Sequence, residues 1–330
     1  MRPGELGGRP LAALAGPGHI AGVDIGGTLT KGVAVAPSGQ VVLRMRRPTP
    51  VAEGPDAVLQ NALGLVEELR DKVRREVGAK PGEDVVAVGL SSPGVVDEAK
   101  GAVRLAVNLG WRDLEIARVA SEALGLPVRF GHDVRLGAMA EGALGAGSGA
   151  RDFLFLPIGT GIAAAVVLDG RARRGFDGLA GEIGHLVVSP GGPQCRCGGK
   201  GCLEMLASAS ALARRYRNEM AGAGMGPASR PWPDAAGVLA LARGGDRVAA
   251  GIWADAIGYL GRALAMTQSL LDLELVIIGG GLANAGESLL DDIAAVISPL
   301  LPFQHIPRLA LAQLGDEAAC LGAAMLARSA

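Results

Sequence analysis

One module occurs twice in this chain, and it limits the fold more than any other feature. Residues 20–35 form an apolar run broken by Gly26-Gly27-Thr28, which turns at Pro37-Ser38-Gly39 into residues 40–43. Residues 153–158, Gly159-Thr160-Gly161 and residues 162–168 repeat the plan, with Asp169-Gly170 as the hairpin turn before Arg171. Each copy reads as strand, tight glycine turn, strand, hairpin, strand. Helical periodicity covers residues 56–77 with Asp56 as N-cap, and then 113–124, 136–144, 246–271, 287–300 and 316–328. Strands alternate with helices, so the class is α/β. Two further strands, at 85–90 and 275–278, end in Ser91-Ser92-Pro93-Gly94 and Gly279-Gly280-Gly281. Pocket-forming loops are expected at such strand ends. The Gly/Pro-rich stretch 221–233 is expected to be a mobile surface loop between two helices.

With 330 residues, 49% of them hydrophobic, the chain can bury two cores facing a cleft. The net charge is -1 and no run of Lys or Arg stands out, which argues against nucleic acid or an anionic membrane as partner. Residues 1–19 resemble a signal peptide only superficially, because the apolar run 11–15 is short and Gly16-Pro17-Gly18 interrupts it; a flexible leader is expected. Gly, Pro or charge interrupts every candidate for the roughly 18 apolar residues of a membrane span, so a soluble protein is expected. Three of the 4 cysteines fall between Cys195 and Cys202, which points to a metal site in a reducing compartment, the cytoplasm, rather than to a disulfide framework.

A backbone that approaches phosphate closely needs residues without Cβ, so that several N–H groups can reach the same oxygens. Asp24-Ile25-Gly26-Gly27-Thr28 has that form, with Thr28 as hydroxyl donor and Asp24 as a carboxylate near the metal of a nucleotide. The matching Gly159-Thr160-Gly161 suggests two turns that grip one polyphosphate from both sides. Gly279, Gly280 and Gly281 suit close packing of a nucleobase or ribose, and Lys31 is grouped with these nucleotide contacts. A dinucleotide site fits poorly, since the first turn lacks a third glycine and leads into a strand, and Asn284 stands where the last cluster needs one.

His185, Cys195, Cys197 and Cys202 offer one imidazole and three thiolates, a soft set suited to tetrahedral Zn²⁺ with no open position, hence a structural site. Cys320 lies in an Ala-rich helical run and reads as a small buried hydrophobe.

Asp24-Ile-Gly-Gly-Thr28, Pro93-Gly-Val-Val-Asp97, Gly181-Glu-Ile-Gly-His185 and the cysteine motif through Glu204 resemble the signatures of the ROK family, in order from about residue 20 to the end. That family groups bacterial glucokinases and related hexose kinases with sugar-responsive repressors. The resemblance implies the hexokinase/actin-like ATPase fold, with two α/β domains of duplicated topology flanking a cleft. The expected division is a small domain at 20–133 completed by the C-terminal helix 316–330, and a large domain at 134–315 with the zinc site. It implies an ATP- and Mg²⁺-dependent kinase for the 6-hydroxyl of a hexose, most plausibly glucose, acting as a homodimer or homotetramer. Inorganic polyphosphate is the alternative donor. By itself an Asp in the position of Asp133 is most often a helix N-cap; the resemblance makes Asp133 the base that takes the hydroxyl proton. It likewise makes Asn108, Glu182, His185 and Glu204 sugar contacts, with the zinc segment holding Glu182 and Glu204.

Two departures stand out. His132-Asp133 replaces the family's Asn-Asp, exchanging a neutral amide for a bulkier ring that can titrate near the 3- and 4-hydroxyls. A kinase for an amino sugar or a cyclitol is therefore the second reading. Ala163 replaces a glycine after the second phosphate turn. A repressor would need an N-terminal helix-turn-helix domain, which residues 1–19 cannot supply.

Overall fold

The computed structural model describes residues 12–80, 83–224 and 231–329. Contacts divide the chain into two compact units. The first takes the chain through Gly149, Arg171–Ala180 and the C-terminal segment from Gln313; the second takes Ala150–Gly170 and Gly181–Ala312.

In the first unit β1 (His19–Ile25), β2 (Leu29–Val35) and β3 (Val41–Pro48) form the expected antiparallel module, closed at the first glycine turn. β4 (Val85–Ser92) pairs parallel to β1, and β8 (Val128–His132) pairs parallel to β4, giving the order β3-β2-β1-β4-β8. β5 (Val95–Asp97), β6 (Ala102–Ala106) and β7 (Trp111–Leu114) make a separate antiparallel sheet. Side chains alternate along β1, so its two faces serve two layers. Ala21, Val23 and Ile25 enter a core with α1 (Pro55–Lys72) and α2 (Ile116–Leu124). Gly22, between them, faces α9 (Ala318–Arg328).

Three glycines bring α9 onto main chain. A Cβ on Gly22 would lie 2.1 Å from the Cys320 carbonyl oxygen, and one on Gly89 1.8 Å from that of Ala323. On α9 itself, a Cβ on Gly322 would lie 2.1 Å from the Leu136 carbonyl oxygen of α3 (Asp133–Leu144). This packing is why α3 counts with the first unit, whereas the sequence reading ended that domain at Asp133.

The second unit repeats the topology. β10 (Ala165–Leu168) is antiparallel to β9 (Phe153–Pro157), β12 (Leu275–Gly279) is parallel to β9, and β13 (Arg308–Leu311) is parallel to β12. The order β10-β9-β12-β13 thus matches β2-β1-β4-β8 in sequence and direction. The short β11 (Arg171–Ala172) lies in the 171–180 segment of the first unit. A large core joins this sheet to helices α4 (Leu203–Ala207), α5 (Ala209–Gly222), α6 (Ala235–Arg243), α7 (Arg247–Leu271) and α8 (Glu287–Ile297). Asp246 caps α7 by accepting from Ala249 N at 2.9 Å.

Several boundaries differ from the sequence reading. Asp56 does not cap α1; Gly54, at φ 101°, precedes Pro55 at the first position, an arrangement that proline's fixed φ favours. Asp113 takes φ 46° in β7 and α2 starts only at Ile116, while α3 starts at Asp133 rather than 136. β10 begins at Ala165, since Ile162 makes only a bridge to Ile158. Residues 12–18 are no loose leader: Leu14 is buried, and the Arg328 guanidinium donates to the carbonyls of Leu14, Pro17 and Gly18. Residues 1–11 of that stretch, and 225–230 of the expected loop, lie outside the described residues. Among the described residues, no helix is long and apolar enough to cross a membrane.

Gly89→Ala forces α9 off the sheet and is expected to destabilise by about 3 kcal/mol in urea melts. Gly251→Ala on α7, where nothing lies within 4 Å of the added methyl, should be neutral or stabilising by up to about 1 kcal/mol.

Candidate active site and metal centre

Parallel pairing sets three strand ends of the first unit side by side, with Asp24 opposite Ser91 and Ser92 opposite His132. Asp133 follows directly as the first residue of α3. Ser91 Oγ, fully buried, donates to Asp24 Oδ1 at 2.8 Å. Burial, and then the neighbouring charge of Asp133, push the pKa of Asp24 up to about 7, against the opposing effects of Ser91 and Lys31. Val134 N donates to Asp133 Oδ1 at 2.7 Å, which ties the carboxylate to the start of α3.

His132 is buried, with 7% of its surface exposed. Burial and the Arg135 guanidinium push its pKa down to about 3, with Glu98 opposing. The ring is therefore neutral at physiological pH, which corrects the expectation of a titrating group. Glu98 Oε1 accepts from His132 N at 3.4 Å and from Arg135 Nε at 2.9 Å, while Arg135 Nη1 donates to the Gly178 carbonyl at 3.1 Å.

At the first glycine turn Gly26 N donates to Leu29 O, and Thr49 holds the turn from outside, its hydroxyl donating to Gly26 O at 2.7 Å and its N–H to Thr28 O. Gly27 and Thr28 are exposed. Asn108 stands beside this turn: a Cβ on Gly27 would lie 3.6 Å from the Asn108 Cβ. The Lys31 ammonium lies 3.2 Å from both the carbonyl and the carboxylate of Asp316.

The second turn belongs to the other unit. Ala209 N donates to Gly159 O, and Ser210 Oγ donates to Thr160 O at 2.6 Å. Glu204 Oε2 accepts from Ile162 N at 3.0 Å, and a Cβ on Gly161 would lie 2.5 Å from that same oxygen. A side chain at Gly161 would therefore displace the Glu204 carboxylate from its bond to Ile162 N. Gly280, at φ 74°, sits against the Ile158 carbonyl, whereas nothing lies within 4 Å of a Cβ built on Gly281, whose backbone is open to approach.

Also in the second unit, the donor atoms of His185, Cys195, Cys197 and Cys202 all lie within 4.8 Å of one another. Cys197 and Cys202 sulfurs are 3.6 Å apart, and His185 Nδ1 is 3.7 Å from Cys195 Sγ. A tetrahedral ion with metal–sulfur bonds of about 2.3 Å sets its ligands roughly 3.5–3.8 Å apart, so the set fits one ion. Gln194 Nε2 donates to the carbonyls of Cys195, Gly198 and Gly199, which rounds the turn between ligands. Burial and the adjacent thiols push Cys202 up to about 12; a cation at the centre reverses that balance and favours thiolates. His185 Nε2, on the other side of the ring, lies 3.7 Å from Glu182 Oε2. A carboxylate on the second nitrogen orients a metal-bound imidazole.

Of the expected acceptor contacts, Asn108, His132 and Asp133 fall in the first unit, and Glu182, His185 and Glu204 in the second. Ser91, Glu98, Arg135 and Asp316 were not predicted as site residues. Ser91 stood in a turn marked as informative; the others carry no local signal, since strand order and α9 bring them in.

A family model described as ROK family matches residues 20–330. Glucokinase of Halalkalibacterium halodurans is 32% identical to this chain, covering 93% of it and 94% of its own length. N-acetylmannosamine kinase of Salmonella typhi is 30% identical, covering 93% and 97%. A solved ROK family glucokinase from Streptomyces griseus, in complex with glucose and AMPPNP, shares 31% identity at a TM-score of 0.79, covering 95% of this chain and all of that one.

Because its pKa is raised, Asp24 contributes stability that is present below about pH 4 and is lost as pH rises toward 7. Asp24→Asn should therefore melt several degrees above wild type at pH 8 in EDTA, with the gap narrowing at pH 5, as read by calorimetry.

Proposed function

The chain belongs to the ROK family and has its hexokinase/actin-like ATPase fold, and from that premise we propose an ATP-dependent kinase for the 6-hydroxyl of a hexose, glucose first. The observation that carries the reading is the placement of Asp24 at the end of β1 and Asp133 just past the end of β8, on either side of β4 in one sheet, close enough for the charge of Asp133 to act on Asp24. Asp133 takes the proton of the 6-hydroxyl as its oxygen bonds to the terminal phosphorus and the bond to the leaving ADP oxygen breaks. Asp24, held by Ser91, would hold the nucleotide's Mg²⁺, which when bound would neutralise phosphate charge. Gly26, Gly27 and Thr28, with Lys31 close to that turn, and Gly159, Thr160 and Gly161 are the donors assigned to the phosphates. Of Gly279, Gly280 and Gly281, the last leaves room for the nucleoside, while Gly279 and Gly280 pack against Phe155 and Ile158. Asn108, His132, Glu182, His185 and Glu204 read the sugar hydroxyls.

In this reading His185, Cys195, Cys197 and Cys202 hold a structural Zn²⁺, which needs no open position and keeps Glu182 and Glu204 in place. The enzyme works in the cytoplasm as a homodimer or homotetramer. A second reading, a kinase for a modified sugar such as an amino sugar, is favoured by His132 in place of the family's Asn and by the N-acetylmannosamine kinase relative.

A panel of glucose, mannose, N-acetylmannosamine and deoxy analogues, with ATP or polyphosphate and Mg²⁺, separates these readings. Glucose with ATP should give the highest kcat/KM, and Asp133→Asn should lower kcat by about 10²-fold or more. Near wild-type turnover in that variant removes Asp133 as the base, and preference for the N-acetyl sugar moves the assignment to the second reading. Elemental analysis should find about one zinc per chain, and Cys202→Ser should lose it together with sugar affinity.

A further inference from the structure

His132 Nδ1 is buried without a hydrogen-bond partner, although buried polar atoms are almost always paired. Asp133 Oδ1 lies 3.3 Å away without meeting hydrogen-bond geometry. A lone pair on Nδ1 would face a carboxylate oxygen and repel it; a proton there makes the same contact attractive.

We propose that His132 is a positioning residue for the base, carrying its proton on Nδ1 and donating it to Asp133 Oδ1 when the acceptor sugar is bound. The inference rests on the reading of Asp133 as base, and it gives the ring a role beyond contact with the sugar. Hydrogen bonds frame the pair: Glu98 Oε1 accepts from the His132 main chain and from Arg135 Nε, and Arg135 Nη1 donates to the Gly178 carbonyl. Val134 N already anchors Oδ1, so a small rotation of the carboxylate about that bond brings the ring into line. Catalytic hydrogen bonds are often long in unliganded enzymes and tighten on binding.

Burial and Arg135 keep the ring neutral, so it donates without forming an ion pair over the working pH range. The charged groups around the pair are Arg135 on α3, Glu98 after β5, Asp24 on β1, Lys31 on β2 and Asp316 before α9. Among them Asp24 sets a like charge against Asp133. A donor on Asp133 favours its ionised form against that charge. Asn, the family's residue here, also carries an N–H donor; Ala carries none.

The test measures kcat, sugar KM and the pH profile of kcat/KM for wild type, His132→Ala, His132→Asn and Asp133→Asn. In His132→Ala, kcat should fall about 10- to 100-fold with KM within about twofold, and the acid limb should move to higher pH. His132→Asn should restore both. If His132→Ala instead raises KM and leaves kcat and the acid limb unchanged, the ring contacts only the sugar and the proposal fails. Near wild-type turnover in Asp133→Asn defeats the base reading itself, a separate result. Should His132→Ala fail to fold, ¹⁵N spectra of the histidine-labelled wild type still decide. The chain has 4 histidines, and His132→Asn identifies the signal. A protonated Nδ1 supports the proposal, and a protonated Nε2 with bare Nδ1 overturns it.

Discussion

The first unit depends on main chain touching main chain at α9. Gly22 and Gly89 open adjacent strands to the carbonyls of Cys320 and Ala323, and Gly322 opens α9 to the carbonyl of Leu136. Glycine inside strands and helices weakens them locally. Here the loss is offset by a helix lying directly on the sheet, with Leu321, Ala323 and Ala324 fully buried. The consequence reaches the site: α3 is clamped against α9 one turn past its start, so Asp133 is fixed just past the end of β8, two residues beyond the register of Asp24.

That clamp carries an electrostatic cost. It brings together Asp24, Asp133 and Asp316 with the Lys31 ammonium, and burial, followed by the charge of Asp133, raises the pKa of Asp24. Asp133 sits in the first turn of α3, where unpaired N–H groups favour negative charge, and Val134 N meets its carboxylate. The two carboxylates therefore have different partners, Asp24 the buried Ser91 hydroxyl and Asp133 the main-chain N–H at a helix start. Such a difference suits them to different roles.

The duplicated module was legible because strand alternation and glycine turns are local signals, and the matching strand order of the two units follows from it. The cluster of His185, Cys195, Cys197 and Cys202 was legible for the same reason, being concentrated in a short segment. Glu98 and Arg135 were not. They meet because β5 leads the chain past the end of β8, and neither residue type announces a role in isolation. The three-glycine packing of α9 was equally hidden: a glycine within a strand signals close approach without naming the partner. Asp56 and Asp113 misled because both suit helix starts, whereas Pro55 and the left-handed backbone at Asp113 set the actual boundaries.

The residues proposed to meet the acceptor rest on two unlike supports. In the second unit a metal-sized cluster of donors lies in the segment between Glu182 and Glu204, and the Glu204 carboxylate occupies the space beside Gly161. In the first unit the support is packed helix and buried charge. A metal cluster tolerates little change in its ligands, because each must keep its distance and its charge. The packed side tolerates a larger ring at residue 132 provided that the ring stays neutral and its frame is held, and Arg135 with Glu98 meets both conditions. Variation in acceptor handling can therefore arise at His132 while the metal segment keeps its form.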